Sequence, residues 1–95
     1  MPIDLAEFEQ GNEVKRKIVQ KNIVKILQAN PSLAISAIEL ENALDIRRQS
    51  THSALRSLEE KGIIDRAFVK DGKRYVIYAR IKDEYKKANP EELFK

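Results

Sequence analysis

Arg47, Arg48, Gln49, Ser50, His52, Ser53 and Arg56 gather guanidinium, amide, hydroxyl and imidazole groups into one short stretch that contains no acid. Read as a helix at about 100° per residue, Thr51, Ala54, Leu55 and Leu58 share one arc, and Gln49, His52, Ser53 and Arg56 lie opposite it. Glu59, Glu60 and Lys61 wait until the final turn. An outer helix face that only meets water usually mixes Glu with Lys. One whose leading turns are basic and polar suits approach to a polyanion such as DNA. Taken singly, each of these residues also reads as an exposed polar side chain; the set argues more strongly than any member. His52 has no nucleophile, orienting carboxylate or second ligand at a useful spacing, so it is not expected to act as a general base or to bind a metal.

Composition narrows the chemistry further. The chain has 95 residues, enough for one domain with a modest core. With no cysteine and a single histidine, neither a disulfide framework nor a thiolate metal site is expected. No phosphate-binding glycine loop, carboxylate pair or cofactor fingerprint is visible, so neither enzyme activity nor a cofactor is expected. No apolar run approaches the roughly 18–20 residues of a membrane span, and no signal-peptide pattern opens the chain, which predicts a soluble, cytoplasmic protein. The net charge of +3 hides a strong alternation: residues 1–13 carry −4, 14–30 carry +5, 31–46 carry −3, 47–61 carry +2, 62–81 carry +3, and 82–95 cancel. Each basic segment alone is consistent with a solubilising surface; together they also fit the footprint of a polyanion.

Definite elements are needed to hold the basic stretch out. Residues 1–11 predict a short helix, with Asp4 and Glu7 at capping-box spacing, Ile3 and Phe8 as its staple and Gly11 at its end. Asn12 then restarts a long helix to Gln28. Its Val19, Ile23, Ile26 and Leu27 share a face, while Lys15, Arg16, Lys17, Lys21 and Lys25 spread over the remainder. Asn30-Pro31 ends it. Ser36-Ala37-Ile38-Glu39 is a second capping box, with Ile35 and Leu40 as staple, and its short helix turns Leu40, Ala43 and Leu44 inward. Leu44-Asp45-Ile46 must then be a tight turn, with Asp45 in the left-handed region that Asp tolerates better than most residues. Short helix, turn and amphipathic stretch make a helix-turn-helix.

Past Gly62, which suits a helix C-cap, the apolar period falls from about 3.6 to 2. Residues 63–69 and 74–81 read as strands joined through Lys70-Asp71-Gly72-Lys73, whose Asp-Gly is a hairpin signal. Large residues on both sides of the second strand predict cover on both faces. Tyr75, Tyr78 and Tyr85 read as core or interface residues rather than a base-stacking platform. Residues 81–88 predict a last helix, followed by another helix start at Asn89-Pro90, beyond which Leu93 and Phe94 need a partner surface.

This order of elements resembles the winged helix. Leu40-Glu41-Asn42-Ala43-Leu44-Asp45-Ile46 resembles the second helix and turn of winged helix-turn-helix transcription regulators, especially those of archaea and bacteria. Thr51 through Ile64 looks like their recognition helix running into the first wing strand. Asp71-Gly72-Lys73-Arg74 and Tyr75 resemble the wing tip and second strand. The similarity covers about residues 18 to 81. It departs at Asp45, where glycine is usual, and at Arg47, where a serine or threonine cap is usual; a weak N-cap costs about 1 kcal/mol.

The resemblance implies an α+β winged helix-turn-helix: a three-helix core, a two-stranded hairpin wing, and flanking N- and C-terminal helices. Residues 1–95 form a single domain with its core at about 14–81, and 1–13 and 82–95 are flanking segments available for dimerisation. The implied partner is double-stranded DNA. The recognition helix enters the major groove, where Arg48 and Arg56 suit guanine and Gln49 suits adenine. Arg47 meets phosphate or a base edge at the helix entrance. Ser53 and His52 meet base or phosphate, and Ser50 belongs to the same contact stretch. Lys70, Lys73 and Arg74 at the wing tip meet the backbone or the neighbouring minor groove; alternatively they block edge pairing. Lys15, Arg16, Lys17 and Lys21 remain open between phosphate contact, a dimer interface and solvent. The flanking apolar residues Ile3, Leu5, Phe8, Leu93 and Phe94 outnumber what so small a domain readily covers and predict a homodimer; the domain's own core is the alternative place for Ile3, Leu5 and Phe8. The rival reading is a winged helix used for protein contacts within a transcription or replication assembly. RNA binding is weaker, for lack of an aromatic sheet surface. An effector pocket leaves no trace in the sequence, and no membrane partner is expected.

Overall fold

The computed structural model describes residues 2–94. In chain order it contains α1 (Leu5–Ala29), β1 (Ile35–Ser36), α2 (Ala37–Leu44), α3 (Arg48–Glu60), β2 (Ile64–Asp71), β3 (Arg74–Ile81), a single 3-10 turn (Asp83–Tyr85) and α4 (Pro90–Leu93). The strands form one antiparallel sheet in the order β1-β3-β2. This is the α+β winged-helix architecture that the sequence implied.

Asp4 caps α1, its Oδ1 accepting from the Glu7 amide at 2.9 Å. The helix then runs without a break through Gly11, against the expectation of two helices meeting there. A helix ending on glycine needs left-handed backbone at that residue. Among the described glycines only Gly62 and Gly72 adopt positive φ. Gly11 stays helical at a cost of about 1 kcal/mol relative to alanine, which the strong helix formers on either side absorb. The helix ends where expected: the Asn30 amide donates to the Leu27 carbonyl, and its Nδ2 donates to Ile26 at 3.0 Å, just before Pro31.

α2 opens on its capping box, with the Glu39 amide on Ser36 Oγ at 3.1 Å and the Ser36 hydroxyl donating to Glu39 Oε1. It closes on Asp45, in left-handed backbone at φ 51°, as the turn requires. β1, which pairs Ile35 with Ala79 and Ser36 with Tyr78, was not expected. Its two residues are too short to carry a period.

Ile23, Leu27, Leu40, Leu55, Leu58 and Ile64 are fully buried and form the centre of the core. Each such side chain contributes about 1.5–3 kcal/mol relative to exposure. Thr51, Ala54, Leu55 and Leu58 are the buried residues of α3, which is the apolar seam anticipated above. Val24 joins the expected stripe of α1, fully buried.

Gly62, at φ 77°, turns the chain out of α3, and the Ile63 amide donates back to Leu58 at 3.0 Å. The hairpin pairs Asp71 with Arg74, so Gly72-Lys73 are the two loop residues, one position beyond the Asp-Gly reading. Positive φ at Gly72 and not at Lys73 is the pattern of a type II′ turn. β3 is the central strand, yet cover fails toward the tip: Ala79 and Ile81 are buried, whereas Tyr75 is 66% exposed. Of the two places expected for these tyrosines, core or interface, Tyr85 lies against the core and Tyr75 does not.

No α-helix forms over residues 81–88, only the 3-10 turn at Asp83–Tyr85. Ile81 belongs to the ladder opposite Ile64, and Gln28 Nε2 holds the carbonyls of Tyr85 and Ala88 at 2.9 and 2.7 Å. Side-chain capture of those acceptors replaces the helical pattern. Asn89 caps α4 with Pro90 in its first turn, as anticipated. Leu93 and Phe94 find their surface within the same chain, packed on the core, with the Lys61 ammonium 5.0 Å from the Phe94 ring centroid.

Candidate nucleic-acid interface

α3 buries one side and exposes the other. Arg47, Arg48, Gln49, Ser50, Ser53 and Arg56 are exposed and His52 is half-buried. At the entrance, Arg47 is the N-cap and its side chain makes no capping hydrogen bond. Its carbonyl instead accepts from the Thr51 hydroxyl at 3.1 Å, so the buried Thr51 anchors the first turn from inside. The first-turn amides and the Arg47 and Arg48 guanidiniums therefore face outward together.

Helical phase divides the exposed side further. Gln49, Ser53 and Arg56 stand directly opposite the seam. Arg48 and His52 lean to the flank that also carries Glu59, which bonds Arg66 of β2; that flank faces the wing. Ser50 and Ser57 lean the other way. There an open groove of about 420 Å³ separates α3 from α1, lined by Lys15 and Arg16 on one wall and Gln49, Ser50 and Ser53 on the other. Lys15 and Arg16 thus stand beside the exposed face of α3, a placement the sequence left open. Two other basic residues of α1 go elsewhere: Lys21 bonds Glu91 at 3.0 Å, and Lys17 lines a small cleft with Phe94.

Ion pairing sorts the cations. Glu59 pairs with Arg66 at 2.9 Å, Asp65 with Arg80 at 3.2 Å and Lys82 at 3.7 Å, Asp83 with Lys86 at 2.8 Å, and Glu91 with Lys21. The Arg66 guanidinium holds the Glu59 carboxyl below its ordinary range, chiefly by hydrogen bonding. Lys86 and Lys21 do the same for Asp83 and Glu91. Among the described residues, none of these pairs includes Arg47, Arg48, Arg56, Lys70, Lys73 or Arg74. Glu59, Asp65, Asp83 and Glu91 are engaged, whereas among the described residues no ion pair takes up the cations of the α3 entrance and the hairpin tip.

The hairpin carries Lys70, Lys73 and Arg74 at its tip, all exposed. They are held there by the Gly72 turn and by the Arg66–Glu59 bond nearer the base. An outward α3 beside a cationic hairpin can bind a polyanion along one side of the molecule. Among the described residues no helix is long and apolar enough to cross a membrane. No curated protein matches the chain. The MarR family model matches residues 16–74, well over half of the sequence, from α1 through α2 and α3 to the start of β3.

Proposed function

The chain belongs to the MarR family of prokaryotic winged helix-turn-helix transcription regulators, which bind DNA, and we propose that it acts as a sequence-specific, homodimeric regulator in the cytoplasm. In this reading α3 enters the major groove. Arg48 and Arg56 take guanine edges and Gln49 takes adenine, each a bidentate pair worth about 1–3 kcal/mol of discrimination. Arg47 holds a phosphate at the helix entrance, Ser50, His52 and Ser53 fill the remaining contacts, and Lys70, Lys73 and Arg74 hold the backbone or the adjoining minor groove. The carrying observation is the set of cations at the α3 entrance and wing tip that no ion pair takes up among the described residues, beside a helix face without acid in its leading turns.

The dimer rests on the N-terminal arm. Ile3, Leu5, Phe8, Val14 and Ile18 stay exposed, Leu5 at 82%, while Leu93 and Phe94, also expected to dimerise, are taken up by the chain's own core. A symmetric pair would present two α3 helices to half-sites about 34–36 Å apart.

Binding to one duplex across a salt series tests the reading. We expect log K to fall linearly with log salt, at about −0.9 per phosphate neutralised. A chain whose only affinities are for proteins, with no salt-sensitive DNA binding, would be a protein-contact winged helix instead.

A further inference from the structure

Phe68 and Tyr75 stand out on the wing, 63% and 66% exposed. Residues paired across an antiparallel ladder point to the same face. Phe68 lies opposite Ile77 and Tyr75 opposite Lys70, so the two rings are diagonal neighbours on one face. The base of that face carries Ile64, Ala79 and Ile81 into the core, and its Arg66 reaches Glu59 of α3. It is the side of the wing turned toward the recognition helix.

The ladder needs no aromatic residue so far out. Threonine or lysine would serve there, and would carry less risk on β2, whose outer edge is unpaired. An exposed apolar patch with a charged rim marks a contact surface. Lys70 lies on the same face opposite Tyr75 and Lys73 sits in the turn beside it, while Asp71 and Arg74 project from the other face of the ladder. The Lys70 and Lys73 charge complements a polyanion, and it continues the α3 cations that no ion pair takes up among the described residues.

We infer that Phe68 and Tyr75 form an apolar pad seated on the deoxyribose faces that line the minor groove beside the site read by α3. The inference rests on the DNA-binding reading above. Lys70 and Lys73 hold the phosphates around the pad. Deoxyribose offers uncharged C–H surface, so the pad contributes affinity that salt does not screen, whereas the lysines contribute affinity that it does.

The two contributions separate in one experiment. Kd is measured on a single preferred duplex over a salt series for wild type, Phe68→Ala, Tyr75→Ala, Tyr75→Phe and Lys73→Ala. Each alanine at the pad raises Kd about five- to tenfold at every salt concentration, with the slope unchanged. Tyr75→Phe stays close to wild type, because the ring and not the hydroxyl makes the contact. Lys73→Ala flattens the slope by about 0.9. Both rings are exposed, so unfolding curves should match wild type and separate a lost contact from a lost fold. Wild-type Kd in Phe68→Ala and Tyr75→Ala overturns the pad and leaves the DNA reading standing. A wild-type chain without salt-sensitive DNA affinity overturns both. Pad variants that keep DNA affinity but change the sedimentation of the protein assign the pad to a protein contact and overturn it as well.

Discussion

Arg47 sits where two demands conflict. As N-cap of α3 it leaves the first-turn amides without a side-chain acceptor, yet it places a guanidinium where a phosphate would arrive. Arg47→Ser should supply the missing acceptor and raise stability by about 0.5–2 kcal/mol, seen as a higher midpoint in thermal unfolding. The same change should weaken DNA binding and shallow its salt dependence. A variant that is more stable and binds equally well would remove Arg47 from the interface. Arg56, opposite the buried seam, is proposed for the other role, reading a base. Arg56→Ala should cost about 1–3 kcal/mol on a preferred site and relax base choice at one position. Equal loss on every duplex would make it a phosphate contact. At this scale the sequence was most informative: the α3 seam and the left-handed Asp45 follow from residue type and helical phase, and the weak cap at Arg47 from the winged-helix resemblance. The exposure of Tyr75 did not, because a strand pattern shows which residues share a face and not where the body beneath them ends.

Among the described residues, one side-chain hydrogen bond ties the wing to α3 beyond their shared core. Arg66 is 17% exposed, its Nη2 bonds Glu59, and its buried Nε has no partner. Removing the Glu59 charge leaves a mostly buried guanidinium worse satisfied than before. Glu59 titrates below its ordinary range when folded, so its contribution is present above the unfolded carboxyl value and fades as pH falls through the folded one. Glu59→Gln should therefore lower the thermal midpoint at neutral pH, and the gap to wild type should narrow in acid below about pH 4. A gap independent of pH would exclude the charge as its cause. Elements set by tertiary partners were the ones hidden from the sequence. β1 exists because β3 offers Ala79 and Tyr78 to Ile35 and Ser36. The residue 81–88 helix fails because β3 and Gln28 claim its backbone groups. α1 is continuous because Gly11 has no turn to make.

For the whole molecule, the 25-residue α1 is the organising length. Its C-terminal turns supply core residues, while Leu5, Phe8, Val14 and Ile18 before them stay exposed, in a domain of 49 × 33 × 22 Å. If this arm makes the proposed dimer, Leu5→Glu with Phe8→Glu should yield a folded monomer by sedimentation at micromolar concentration; a wild-type chain that is already monomeric there would refute the dimer. DNA affinity should fall with it, since the two half-sites would no longer be bound together. The central claim is that α3 and the wing read duplex DNA by sequence, and selection of bound duplexes from a random pool tests it most directly. The account predicts one enriched motif, repeated symmetrically about one helical turn apart, that is weakened at defined positions by Arg56→Ala. A pool that emerges unenriched after repeated selection would contradict it.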